Sequence, residues 1–265
     1  MAAVGRQSQS AYMTLGEHLE ALRQVLIRIA VAVVAAMAVV FCLKDATFRL
    51  LLAPHDAGFV TYRAVERLAD ALGMGFRFEP FHVDLIATEL QSQFMTHLTA
   101  SVTLGALVVS PYILYQLFTF VSPALYASER RYAVPLLTAM YVLFMAGVAM
   151  SYFVLFPVAF RFLATYQVSA DVRSIITLDS YISTFATLTL VMGLVFQLPV
   201  VAYVLARLGL LDAELMSRYR RHAVVLVLLV SAIITPPDVF TLILVALPLY
   251  VLYEACIAII RHTKK

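Results

Sequence analysis

Long apolar runs alternate with short charged segments, and that alternation constrains this chain more than any other feature. The runs are about Val25–Leu43, Phe94–Val121, Ala133–Phe156, Tyr181–Ala206, Ala223–Ile234 and Val239–Ile260. A helix needs roughly 20 apolar residues to cross a bilayer, and five of the runs have about that length. The fifth in order is shorter and reaches only about 18 Å at 1.5 Å per residue, so the bilayer is expected to thin beside it. Backbone groups in hydrocarbon must be bonded within the protein, so each run is read as a helix. A β-barrel would instead show alternating strands of about ten residues. Composition agrees: 63% of residues are hydrophobic and 13% charged. Soluble domains are about half apolar and a quarter charged, so a soluble or disordered chain is excluded. The expected fold class is all-α: one polytopic transmembrane domain over residues 1–265, with six helices and no internal repeat.

Charge predicts the orientation. Six spans put both termini on one side, together with Arg130, Arg131, Arg207, Arg218, Arg220 and Arg221. That side carries twelve bases against five acids, net +7; the other carries seven bases against ten acids, net −3. Glu254, inside a span, brings the total to +3. Positive loops mark the cytoplasm, so both termini are expected inside. Such a modest net charge does not indicate a nucleic-acid partner. Cys42 and Cys256 fall near opposite faces and are not expected to pair.

Before the first span, Leu15, Leu19, Leu22 and Leu26 recur at helical steps, and Thr14 and Glu17 have capping-box spacing. An amphipathic helix running into the first span is expected. The basic flank Arg23 and Arg28 precedes an apolar run with no small-x-small cleavage site, so this run is read as a retained span. Residues 44–93 form a long polar insertion. In it Tyr62, Val65, Leu68, Ala69 and Leu72 suggest a short amphipathic helix ending at Gly73-Met74-Gly75.

Enzyme signatures are missing. There is no HExxH, GxSxG or glycine-rich phosphate loop. The histidines at 18, 55, 82, 97, 222 and 262 share no helix face, so they are read as interface or loop residues; no metal or cofactor is expected. Gln197 lies in the fourth run, two residues before Pro199. It is expected to face the protein interior or a wet pocket, either bonding carbonyls freed by Pro199 or acting functionally. Glu254 can snorkel or pair with Arg261. At the inner ends of the first three spans lie Glu17, Glu20 and Glu129. Carboxylates bind guanidinium bidentately, which suits an arginine-bearing ligand; local pairing, Glu20 with Arg23 and Glu129 with Arg130 or Arg131, is the ordinary alternative.

Motifs in order along the chain carry a resemblance. They are His18-Leu19-Glu20-Ala21-Leu22-Arg23, Ala53-Pro54, Ser110-Pro111, Ile113-Leu114-Tyr115-Gln116 and Phe120-Val121-Ser122-Pro123-Ala124-Leu125-Tyr126. Further on come Glu129-Arg130-Arg131, Phe156-Pro157-Val158-Ala159-Phe160 and Phe196-Gln197-Leu198-Pro199. Thr235-Pro236-Pro237-Asp238-Val239, Ala246-Leu247-Pro248-Leu249 and Tyr253-Glu254 complete the set. Together they resemble the TatC family, the multispanning receptor of the twin-arginine protein translocase, over nearly the whole chain.

The resemblance implies a glove-shaped bundle in the bacterial cytoplasmic (inner) membrane, several copies per complex, and TatA- and TatB-like single-span partners. It also implies export of folded cargo bearing twin-arginine signal peptides, driven by the proton-motive force, with no catalytic residue. Implied signal-peptide contacts are Glu129, Glu20, Glu17, Phe120, Leu125, Tyr126 and Arg130. Pro54, Gln197, Asp238 and Glu254 are implied as intramembrane polar or structural positions. The chain departs from the pattern at Ala21, where the family has glutamate, so Glu20 or Glu17 would serve. Gln197 replaces the family's intramembrane glutamate, Leu242 stands where a polar residue often follows the TPPD turn, and the first outer loop looks longer than usual. The rival reading, a secondary transporter for a small solute, calls for inverted repeats and polar groups converging at the midplane.

Overall fold

A computed structural model describes residues 15–75, 77–78, 83–121, 133–167, 169 and 175–263. The end of the bundle that holds the start of α1 is termed proximal, the opposite end distal. Helix α1 (Leu15–Cys42) is one continuous 28-residue helix. At about 42 Å it exceeds a hydrocarbon core of about 30 Å, so its amphipathic start continues straight into the span without a break. Thr14, the expected cap, lies outside the described residues. The segment after α1 holds α2 (Lys44–Leu52), a 3-10 turn (Ala53–His55) and α3 (Val60–Ala71). The chain returns through α4 (Ser92–Val108) and α5 (Ser110–Val121), bent 59° against each other at Val109. Then α6 (Ala133–Met150), a π-helical turn (Ser151–Leu155) and α7 (Phe156–Thr165) run distally as one rod. Next come α8 (Leu178–Val195) and α9 (Leu198–Arg207), separated at Phe196-Gln197. The last three are α10 (Ala213–Arg218), α11 (Arg220–Ile234) and α12 (Val239–Thr263). Strands β1 (Leu85–Ile86) and β2 (Ile176–Thr177) pair in parallel and tie the two distal segments together.

Four of these rods are long and apolar enough to cross a membrane, and the bent α4–α5 pair makes a fifth. Helix α11 has 15 residues, about 22 Å, and completes a six-span bundle as its short member.

Lipid is as apolar as leucine, so helices here associate through close packing rather than burial from water. Two glycines let helix backbones approach closely. A side chain at Gly105 on α4 would put its Cβ 2.8 Å from the Met37 backbone nitrogen of α1. One at Gly147 on α6 would lie 2.5 Å from the Met192 carbonyl oxygen of α8. The main core gathers Leu51, Leu155, Phe156, Tyr181, Phe185, Leu188 and Met192 around α8. A smaller proximal cluster joins Ala202, Ala206, Cys256 and Ile260 of α9 and α12. Helix α1 stays peripheral: only 6% of its apolar window is buried.

Prolines explain how these helices break without stranding backbone groups. Each removes the N–H that the carbonyl four residues earlier would receive. Leu50 O, orphaned by Pro54, accepts the Tyr152 hydroxyl at 2.8 Å. Leu107 O, orphaned by Pro111, accepts the Ser110 hydroxyl at 2.7 Å. Phe153 O, orphaned by Pro157, accepts the Thr61 hydroxyl. Side chains thus restore bonds that lipid could not supply. Buried Tyr62 continues the pattern, its hydroxyl lying 3.2 Å from Pro54 O and 2.9 Å from Pro157 O. Burial pushes its phenol up to about 12, against a smaller opposing pull from the Arg161 guanidinium. The stability this adds is complete below pH 10 and fades as pH rises through about 12.

Candidate functional site

The proximal face is built from the start of α1 and the end of α5. The His18 ring stacks on the Phe120 ring, centroids 4.5 Å apart and planes at 29°. This contact brings the first motif, around Glu17, Glu20 and Ala21, against the last described turn before residues 122–132. Glu17 and Glu20 are both exposed on α1. Glu20 pairs with Arg23 at 3.4 Å, and with both groups more than half exposed the pair contributes about 0–1 kcal/mol. It therefore breaks cheaply in favour of a better-placed guanidinium. Leu125, Tyr126, Glu129 and Arg130 lie outside the described residues.

Gln197 sits at the break between α8 and α9 and is buried. Its Nε2 donates to Met140 O of α6 at 3.0 Å, while its Oε1 has no hydrogen-bond partner. The amide thus reaches across to a neighbouring helix rather than to a carbonyl freed by Pro199. Beside it, an apolar cavity of about 280 Å³ lies between α6, α9 and α12, with Ala139, Leu143, Pro199, Val200 and Ile259 in its wall. Its lining is apolar apart from Tyr203, whose hydroxyl accepts from Arg207 at 3.2 Å, so polar groups do not converge on it as a solute carrier requires. Among the described residues, no group of three or more His, Cys, Asp or Glu is placed to hold a metal ion. The described histidines with resolved contacts are packing residues: His97 stacks on Phe41 at 4.0 Å, and His55 bonds Val83 O.

The remaining implied positions have structural partners. Pro54 is buried in the 3-10 turn. Asp238 precedes α12 and accepts the Thr241 N–H at 2.7 Å, with a second contact from the Thr241 hydroxyl. It is an N-cap bonded to the third helical residue. Asp238→Ala is expected to cost about 1 kcal/mol of stability, read as a lower thermal midpoint in detergent, while Asp238→Asn retains most of it. Glu254 corrects the expectation of pairing with Arg261. It binds Arg220 of α11 at 2.8 and 2.9 Å and accepts the Tyr250 hydroxyl at 3.2 Å. Arg261 instead donates to the Ser217 hydroxyl at 3.2 Å. The α11–α12 hairpin places the start of α11 beside Glu254, two turns before Arg261. Sequence spacing shows only neighbours along one helix.

Fold and site define a multispanning helical membrane protein in which His18 of the first motif stacks on Phe120 of a later one at the proximal end of the bundle. The chain belongs to the TatC family: the family model "Sec-independent protein translocase protein (TatC)" matches residues 17–248. A TatC of Carboxydothermus hydrogenoformans is 34% identical over 254 residues, 95% of this chain and 94% of that protein. The Escherichia coli K12 TatC is 38% identical over 175 residues, 64% of this chain and 66% of that protein. A crystal structure of the twin-arginine translocase receptor TatC superposes with a TM-score of 0.75 at 30% identity, covering 94% of this chain and all of that one.

Proposed function

We propose that the chain is the signal-peptide receptor of a twin-arginine translocase. The observation that carries this reading is the proximal convergence of His18 and Phe120 in a chain matched to TatC across residues 17–248. In this reading the proximal face is cytoplasmic, in a bacterial inner membrane, with both termini inside; the +7 to −3 charge division supports it. Glu129 is the main partner of the paired arginines. Glu20 and Glu17 stand in for the glutamate missing at Ala21, with Phe120, Leu125, Tyr126 and Arg130 lining the path. Glu17 lies one turn before Ala21 and shares its face. The chain performs no covalent chemistry. It binds the address on folded cargo and assembles, in several copies, with TatA- and TatB-like single-span proteins, while the proton-motive force drives transport.

Two measurements test the reading. A photo-crosslinkable twin-arginine peptide is expected to label the protein in membranes several-fold more strongly than a twin-lysine control; equal labelling would remove the receptor assignment. For topology, single cysteines at Ser128 and in the tail are expected to react only with permeant thiol reagents, and one at Ala57 with impermeant ones. The opposite pattern would invert the orientation.

A further inference from the structure

The distal segment carries basic groups with no partner. Arg49 of α2 and Arg63 of α3 flank an open groove of about 670 Å³ whose apolar wall includes Phe48, Leu52, Phe59 and Val60. Among the described residues, neither these arginines nor Arg67, one turn further along α3, forms an ion pair or side-chain hydrogen bond. Asp56 also lines the groove but forms no ion pair with either arginine, and its one charge is outnumbered by the two guanidiniums; Glu66 and Asp70 are engaged elsewhere. Asp56 accepts the Gly58 N–H at 2.8 Å, Glu66 the Phe78 N–H at 3.0 Å, and Asp70 pairs with Arg77 at 3.1 Å. The Arg63 guanidinium rests against Gly58, where a Cβ would come within 2.9 Å of its Nη2, so the glycine makes room for it.

A second observation concerns α3 itself. One face buries Tyr62 and Ala69. Val60, Leu68 and Leu72, eight and four residues apart along another face, are 63%, 61% and 64% exposed. Arg63 and Arg67 border that stripe on its Val60 side. An exposed apolar stripe edged with arginine is the pattern of a helix lying in a membrane interface. Its position fits: α2 starts directly after the span, and Phe48 lies 5.6 Å from the His97 ring, in the distal half of α4.

We propose that the groove between Arg49 and Arg63, with Arg67 beside it, binds the phosphodiester headgroup of an anionic phospholipid in the distal leaflet. Guanidinium forks take the phosphate oxygens in pairs. The acyl chains lie along Phe48, Leu52 and Val60, and α3 settles its Val60–Leu68–Leu72 stripe among neighbouring lipids. The apolar wall distinguishes a lipid from free phosphate, and the excess of positive charge, Arg49, Arg63 and neighbouring Arg67 against Asp56, distinguishes an anionic lipid from a zwitterionic one. The site is independent of signal-peptide reading at the proximal face.

The test is native mass spectrometry of the full chain released from nanodiscs containing phosphatidylglycerol and phosphatidylcholine. Wild type is expected to retain phosphatidylglycerol preferentially. The triple variant Arg49→Gln, Arg63→Gln, Arg67→Gln should retain about tenfold less, whereas the corresponding triple lysine variant should keep most of it. If the glutamine triple does not fold, Arg49→Gln and Arg63→Gln singly decide the matter, each with about a threefold loss. Retention unchanged in folded glutamine variants would overturn the site. Displacement of the lipid by millimolar glycerol 3-phosphate would replace it with a soluble-phosphate site.

Discussion

Gly147→Leu is expected to leave no correctly packed protein. The first atom of any side chain there would sit 2.5 Å from the Met192 carbonyl oxygen and 2.9 Å from the Met192 carbonyl carbon and Phe196 Cβ. Two of these three atoms are backbone of α8, which cannot rotate aside as a flexible side chain would. Overpacking in a core costs about 1–3 kcal/mol even when neighbours are side chains, and a helix forced away from its partner loses the whole contact line. In detergent, the variant should elute as aggregate, or melt well below wild type, by size exclusion and a thermal scan. Gly16→Ala, where nothing lies within 4 Å, serves as the matched control and should melt like wild type. If the leucine variant elutes and melts like wild type, the α6–α8 crossing does not depend on close approach.

The second large effect belongs to Glu129→Ala, expected to weaken twin-arginine peptide binding tenfold or more. A charge-assisted bond at such a site is worth roughly 1.5–3 kcal/mol, and 1.4 kcal/mol is a factor of ten. The variant should then bind twin-arginine and twin-lysine peptides with similar affinity. Glu129→Asp should lose less. Peptide affinity in nanodiscs at two salt concentrations reads the effect, because an ionic contribution shrinks as salt rises. If Glu129→Ala binds like wild type while Glu17→Ala with Glu20→Ala abolishes binding, Glu129 is only a local partner of Arg130 or Arg131. The arginine site would then belong to α1.

Much of this protein was legible without coordinates. The apolar runs place the helices, because solvation by lipid leaves the backbone no alternative. Loop charge provides the argument for orientation, and the motif order provides the family. At the candidate site, the sequence singled out Glu17, Glu20 and Phe120, and the structure adds the stacking of His18 on Phe120. In the sequence His18 opens the first motif and otherwise reads as an interface or loop residue; its stacking partner lies about a hundred positions away, where no periodicity connects the two.

The tertiary structure alone decided which polar groups meet. The sequence points Gln197 at the protein interior or a wet pocket without choosing between carbonyls freed by Pro199 and a functional contact, and leaves Glu254 to snorkel or pair with Arg261. In the fold, Gln197 donates to Met140 O on α6 and Glu254 pairs with Arg220 on α11. The prolines were visible as breaks, but not that Tyr152 and Thr61 would bond the carbonyls left open at Leu50 and Phe153. Nor could spacing show that Gly147 carries a crossing while Gly16 faces open space. Hydropathy and periodicity describe what one segment requires of its surroundings. Which segment meets that requirement depends on the tilt and relative height of neighbouring helices, set by steric contact across the bundle, and those contacts join residues that no local pattern relates.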